Sequence, residues 1–146
     1  MKLIPIYETL EENETLLNNP LCKETLQMTL DFYKRVGFVP PWIGYYVEDN
    51  RNLVGSAGFK GQPVNGTIEI AYGTFEEFRH QGVGTAICKQ LVDVALQTDP
   101  LVRITARTFE KDNYSSRILQ KNNFVCIGTV NDQEDGEVWE WVYTDN

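Results

Sequence analysis

Arg79-His80-Gln81-Gly82-Val83-Gly84 is the stretch of this chain whose residue types and spacing point most directly to chemistry. A strand-like run from Thr67 to Phe75 leads into it. From Gly82 onward Val83, Ile87, Leu91 and Val94 fall at i, i+4, i+8 and i+11, one face of a helix that ends near Pro100. The start of a helix presents backbone N–H groups with no intrahelical partner and the positive end of the helix dipole, so a glycine turn placed there receives an anion, phosphate above all. Gly82 and Gly84 let that guest come close to the backbone, and Arg79 adds charge at the mouth. On this reading a side chain at either glycine obstructs the phosphates, and Gly84→Val weakens binding without unfolding the chain. The competing reading is a helix start that uses glycine only for a tight turn. Two better-known phosphate loops fail on the residues: a P-loop ends in Gly-Lys-Ser/Thr where this chain has Gly84-Thr85-Ala86, and a Rossmann fingerprint needs glycine where Ile87 stands.

Other chemistries lack their parts. His80 is the single histidine, which removes any metal site built on several imidazoles and marks it as an exposed loop residue; no metal is expected. No Gly-x-Ser-x-Gly occurs, and a serine or cysteine nucleophile would have to borrow its base from inside the glycine turn. Cys22, Cys88 and Cys126 are odd in number and widely spaced, which fits buried free thiols rather than a disulfide framework or a thiolate metal site. Trp42, Trp139 and Trp141 read either as pocket lining or as strand aromatics packed in the core.

The elements that must position the turn follow from patterning. With 146 residues, 42% hydrophobic and 23% charged, the chain has the size and composition of one globular domain over residues 1–146. Asn19-Pro20 offers an N-cap and first helical residue, with Leu26, Leu30 and Tyr33 at helical spacing up to Gly37, a helix over 20–36. Strands are expected over 42–47, 53–59, 67–75, 101–108, 124–130 and 138–143, with a short helix over 115–123. This order predicts an α+β fold with a mixed sheet. The formal net charge of −8, from 21 acidic and 13 basic residues, opposes nucleic-acid binding. It favours a cationic partner such as an amine, or serves only to keep the protein dispersed. The first residues are interrupted by Pro5 and Glu8 too early for a signal peptide, and no stretch approaches a membrane span, so the expected location is the cytoplasm.

The pattern Arg79-x-x-Gly82-x-Gly84, between a long strand and an amphipathic helix, resembles the acetyl-CoA pyrophosphate loop of the GNAT acetyltransferases. Ile68 to Arg79 resembles the fourth strand and lead-in of the branch related to ribosomal-protein N-acetyltransferases, and Ser115 to Phe124 resembles that branch's fourth helix with its closing Gly-Phe. The likeness covers roughly residues 42–143 and implies a mixed, mostly antiparallel twisted sheet of about six to seven strands flanked by about four helices. It implies acetyl-CoA as acetyl donor, held by Arg79, His80, Gln81, Gly82, Val83, Gly84 and Thr85 at the phosphates. Tyr72, Thr74 and Phe75 would lie along the arm, with Asp112 or Asn113, and Ser115, at the start of the fourth helix. Asn123 stands where the family has glycine and tolerates the left-handed backbone needed there. Leu119 stands where many relatives have a tyrosine that protonates the departing thiolate, which leaves that proton to water or to Tyr114.

Glu69 is the candidate general base, or orients the water that acts as one, because an ammonium must lose a proton before its nitrogen attacks a thioester. At about 3.3 Å per residue it lies roughly 20 Å from Phe75, comparable to an extended pantetheine arm. Glu69, Ala71 and Gly73 share one strand face, opposite Ile68, Ile70 and Tyr72, and Gly73 marks a bulge that opens the strands. The alternative for Glu69 is an outward charge on a half-solvated strand. The primary reading is thus direct transfer of acetyl from acetyl-CoA to a primary amine on a small molecule or protein, without membrane or nucleic-acid partner; a homodimer stays open. The rival is a non-catalytic acyl-CoA-binding or regulatory module, to which Leu119 and Asp112 point.

Overall fold

The computed structural model describes residues 1–111 and 113–144, with only the backbone described at Asn113. Seven strands form one sheet in the order β1-β2-β3-β4-β5-β7-β6. They are β1 (Lys2–Pro5), β2 (Gly44–Asp49), β3 (Asn52–Phe59), β4 (Thr67–Thr74), β5 (Arg103–Thr108), β6 (Phe124–Asp132) and β7 (Gly136–Tyr143). The helices are the one-turn α1 (Glu14–Leu17), α2 (Lys23–Val36), α3 (Val83–Thr98) and α4 (Asn113–Lys121). The mixed α+β architecture expected from the sequence is therefore present.

Helix α2 begins later than Asn19-Pro20 implied. Cys22 occupies the N-cap position, and the Asn19 side chain instead accepts the Leu21 N–H at 2.9 Å in a local turn before the helix. Leu26, Leu30 and Tyr33 are the buried stripe, and Gly37 at φ 91° ends the helix. The Tyr33 hydroxyl donates to the Ile6 carbonyl and accepts the Gly44 N–H, both at 2.8 Å, which ties α2 to the first two strands.

Small residues decide what lies beneath α2. Gly44, Gly58 and Ala71 are paired across β2, β3 and β4, with Ser56 and Gly73 in a neighbouring row. Cross-strand partners point to the same face, so apart from Tyr46, which pairs with Ser56 and reaches Thr25 of α2, this patch carries little side-chain bulk to fill the space under the helix. The opposite face is packed: Ile68 and Ile70 are buried with Ile87 and Leu91 of α3 in the core.

The sheet opens at one place. β4 and β5 run parallel through three pairs only, Thr67 with Arg103, Ile68 with Ile104 and Glu69 with Thr105, after which β4 stays with β3 while β5 continues along β7. The opening is not made by a bulge at Gly73, because the β3–β4 register runs unbroken from Gly55–Thr74 to Phe59–Ile70. It comes from loss of the parallel partner beyond Glu69. Cys22 and Cys88 are buried free thiols as expected, whereas Cys126 is exposed on the edge strand β6.

Candidate active site

The start of α3 is built as an anion cradle. Gly82, at φ 80° and ψ 3°, is its left-handed N-cap, and His80, two residues earlier, has a positive φ of 64° as well. The first helical N–H to close is that of Ala86, onto the Gly82 carbonyl at 3.2 Å. The amides of Val83, Gly84 and Thr85 thus have no hydrogen-bond partner among the described residues. A Cβ on Gly82 would meet nothing within 4 Å, so the space beside it is open. The exposed Arg79 donates its Nε to the Thr74 carbonyl at 3.3 Å, and Gln81 its amide to the Glu77 carbonyl at 3.4 Å.

Gly84 has a different reason for being glycine. A Cβ there would come 2.5 Å from Ile118 Cδ1, 3.2 Å from Thr74 Oγ1 and 3.3 Å from the Tyr114 hydroxyl. Its missing side chain lets α3 pack close against α4, so Gly84→Val carries a packing cost besides any effect on binding. Tyr114 sits at this end of the site, its ring edge-on to His80 at 5.5 Å between centroids. Asn122 of the turn after α4 donates to the Thr85 carbonyl at 3.1 Å, and Asn123 takes φ 67°, as its place in the closing Asn-Phe requires. Leu119 is wholly buried in the core. Asp112 lies outside the described residues, as does the Asn113 side chain.

Two cavities meet at the other end. The larger, of about 880 Å³, lies under α2 over the small-residue patch. The smaller, of about 200 Å³, fills the opening between Ile70-Ala71-Tyr72 of β4 and Ala106-Arg107-Thr108 of β5, with Ser115 of α4 on its wall. Glu69 lines both cavities and is the last β4 residue paired with β5. Its Oε2 receives Lys60 Nζ at 2.9 Å, and its Oε1 lies 3.7 Å from Arg107 Nε. Arg107 also reaches Asp132 through Nη1 at 2.9 Å and Glu140 at 3.5 Å. The Arg107 guanidinium holds the Asp132 carboxyl well below the usual range, at about 2, helped by the Glu134 N–H. Burial pushes the Cys88 thiol up to about 12, beside the Tyr72 hydroxyl.

The structure therefore divides the residues singled out from sequence into two groups. Thr74, Phe75, Arg79, His80, Gln81, Gly82, Val83, Gly84, Thr85 and Tyr114 gather around the α3 start, and Glu69, Tyr72 and Ser115 around the opening. No tryptophan lines either cavity: Trp42 packs edge-on to Phe59 at 5.1 Å and Trp141 donates Nε1 to Thr108 Oγ1 at 2.9 Å. Lys60, Arg107 and Asp132 escaped the sequence reading because Lys60 and Arg107 reach Glu69 from other parts of the chain and Asp132 joins them only through Arg107.

The model of the acetyltransferase (GNAT) domain family matches residues 5–125. The chain belongs to the GNAT family. A second likeness is to the uncharacterized N-acetyltransferase YjdG of Bacillus subtilis strain 168, 35% identical over 98 residues; the match spans 66% of the GNAT chain but only 55% of that relative. Among solved structures, a variant of spermidine N-acetyltransferase SpeG from Vibrio cholerae superposes with TM-score 0.71 at 14% identity, covering 98% of this chain and 94% of that one. The ribosomal L7/L12 α-N-protein acetyltransferase RimL, in complex with coenzyme A, superposes with TM-score 0.66 at 16% identity, over 92% and 77% of the two chains. These structures share the fold.

Proposed function

We propose that this GNAT chain transfers an acetyl group from acetyl-CoA to a primary amine by direct attack in a ternary complex. The observation that carries the reading is the opening beside β4, with three open amides at the α3 start near one end and Glu69 at the junction of two cavities near the other. The amides of Val83, Gly84 and Thr85, with Arg79 beside them, would take the pyrophosphate. The arm would follow Phe75, Thr74 and Tyr72, and the thioester would come to rest in the opening. Ser115 lines that opening beside the path of the arm.

The acceptor enters through the larger cavity. Glu69, directly or through a water, takes a proton from the ammonium; the freed nitrogen attacks the thioester carbonyl, the adduct sheds the second nitrogen proton to water, the carbon–sulfur bond breaks, and the thiolate leaves. Lys60 and Arg107 hold the Glu69 carboxylate in place. A departing thiolate with pKa about 8.5 leaves readily, so a water can supply its proton. Tyr114 is the other donor, although it lines neither cavity.

Thiol release from acetyl-CoA, followed with and without a panel of amines, tests this. Release that rises with an amine and matches N-acetyl product supports transfer. Tight acetyl-CoA binding with no amine-dependent release would replace it with the binding-module reading.

A further inference from the structure

We infer that the acceptor carries a carboxylate close to its amine, as an amino acid does, and that Lys60 is the residue that reads it. The inference rests on the acetyl-transfer reading and deepens it. Three acidic residues line the larger cavity, and each already has a cation of the same wall: Glu69 has Lys60 at 2.9 Å, Asp132 has Arg107 at 2.9 Å, and Glu134 has Arg35 at 3.9 Å. Asp132 is further occupied by the N–H groups of Glu134 and Asp135, at 2.9 and 3.2 Å. Beyond the one amine that Glu69 serves, a polyamine's further positive charges would find no unpaired carboxylate among the described residues of this wall and would stand beside three cations, Lys60, Arg107 and Arg35.

Lys60 has capacity left over. Its ammonium offers three donors, one is used on Glu69 Oε2, and the side chain remains 39% exposed. An acceptor nitrogen within hydrogen-bonding reach of Glu69 stands roughly 6 Å or less from Lys60 Nζ, two hydrogen-bond lengths in series. A carboxylate on the carbon next to the amine bridges that gap. The nearby cation also makes the acceptor's ammonium easier to deprotonate, because two like charges are brought together. Arg107, tied to Asp132, Glu140 and Glu69, fixes the far side of Glu69 and is less free to turn toward the acceptor.

The test compares the parent with Lys60→Met and Lys60→Arg on α-amino acids, the matching α-carboxamides, putrescine and spermidine, as kcat/KM at saturating acetyl-CoA. For the preferred side chain, the parent should favour the amino acid over its carboxamide by roughly 10- to 100-fold, the effect of one charge-assisted hydrogen bond. Lys60→Met should bring that ratio toward one and Lys60→Arg should restore part of it. A Lys60 that only holds Glu69 would lower both rates together and leave the ratio unchanged, which would overturn the inference. So would a parent that prefers the carboxamides or polyamines; in that case acetyl transfer stands and only the acceptor class falls. No turnover of any amine would remove the transfer reading and the inference with it.

Discussion

Gly84→Val should destabilise the protein substantially, because the pocket that would receive the side chain is filled. The nearest atom to a Cβ at this position, Ile118 Cδ1, would be 2.5 Å away, so this buried methyl, on a side chain only 5% exposed, must shift. The two further methyl groups of valine enter a space that also holds Thr74 Oγ1 and the Tyr114 hydroxyl, at 3.2 and 3.3 Å from the Cβ. Overpacking of this kind costs about 1–3 kcal/mol for a modest intrusion. Alanine would recover up to about 1 kcal/mol from helix propensity, whereas β-branched valine recovers less. We expect about 1–3 kcal/mol for Gly84→Val, which for a chain of this size lowers Tm by about 2–12 °C.

The cause can be isolated with Ile118→Val, which removes the offending methyl. Alone it should cost about 0.5–1.5 kcal/mol, but combined with Gly84→Ala it should relieve the clash, giving a coupling of about 1 kcal/mol or more in a double-mutant cycle. Urea unfolding of the four proteins measures this directly. A Gly84→Val protein melting within about 2 °C of the parent, or additive effects of Gly84→Ala and Ile118→Val, would refute the packing account of this glycine.

Gly82→Ala should be milder, losing about 1–2 kcal/mol to the left-handed backbone with no clash, so that it melts above Gly84→Val while retaining the parent fold by circular dichroism. Glu69→Gln should slow transfer by about 10²-fold or more at neutral pH and recover partly as pH rises and free amine accumulates; the parent's pH–rate profile in this variant would remove Glu69 from the mechanism. Tyr114→Phe should keep close to the parent rate at every pH, and a loss of about tenfold or more would identify Tyr114 as the acid that protonates the thiolate. Arg107 and the Glu134 N–H depress the Asp132 carboxyl from 3.8 to about 2 on folding, so this interaction stabilises the protein above pH 4 and the stabilisation is lost as pH falls toward 2. The Tm difference between parent and Asp132→Asn should therefore be largest near pH 5–7 and shrink as pH falls toward about 2.

What could be read from sequence is what local periodicity encodes. Val83, Ile87 and Leu91 declared the buried face of α3, and Ile68 and Ile70 against Glu69, Ala71 and Gly73 declared the two faces of β4. The glycine turn was legible because its meaning depends only on neighbours in the chain. Its two glycines nevertheless serve different ends, and only the packing of α4 separates a glycine needed for its backbone angle from one needed for its missing side chain. The start of α2 was misplaced because Asn19 satisfies a turn as readily as a helix cap.

The ion pairs around Glu69 were invisible for a topological reason. Lys60 follows β3, Arg107 lies on β5 and Asp132 ends β6, and they meet only because the sheet places β4 between β3 and β5 and folds the β6–β7 hairpin over them. No spacing in the chain announces such a meeting. The same holds for the floor of the larger cavity, where Gly44, Gly58 and Ala71 become one patch only through strand register.

The most direct test of direct transfer in a ternary complex is the initial-velocity pattern when acetyl-CoA and the best amine are varied together. The account predicts intersecting double-reciprocal lines, with N-acetyl product and free thiol formed in equal amounts and no acetylated protein in the absence of amine. Parallel lines with an acetyl-enzyme adduct, or thiol release indifferent to the amine, would contradict it.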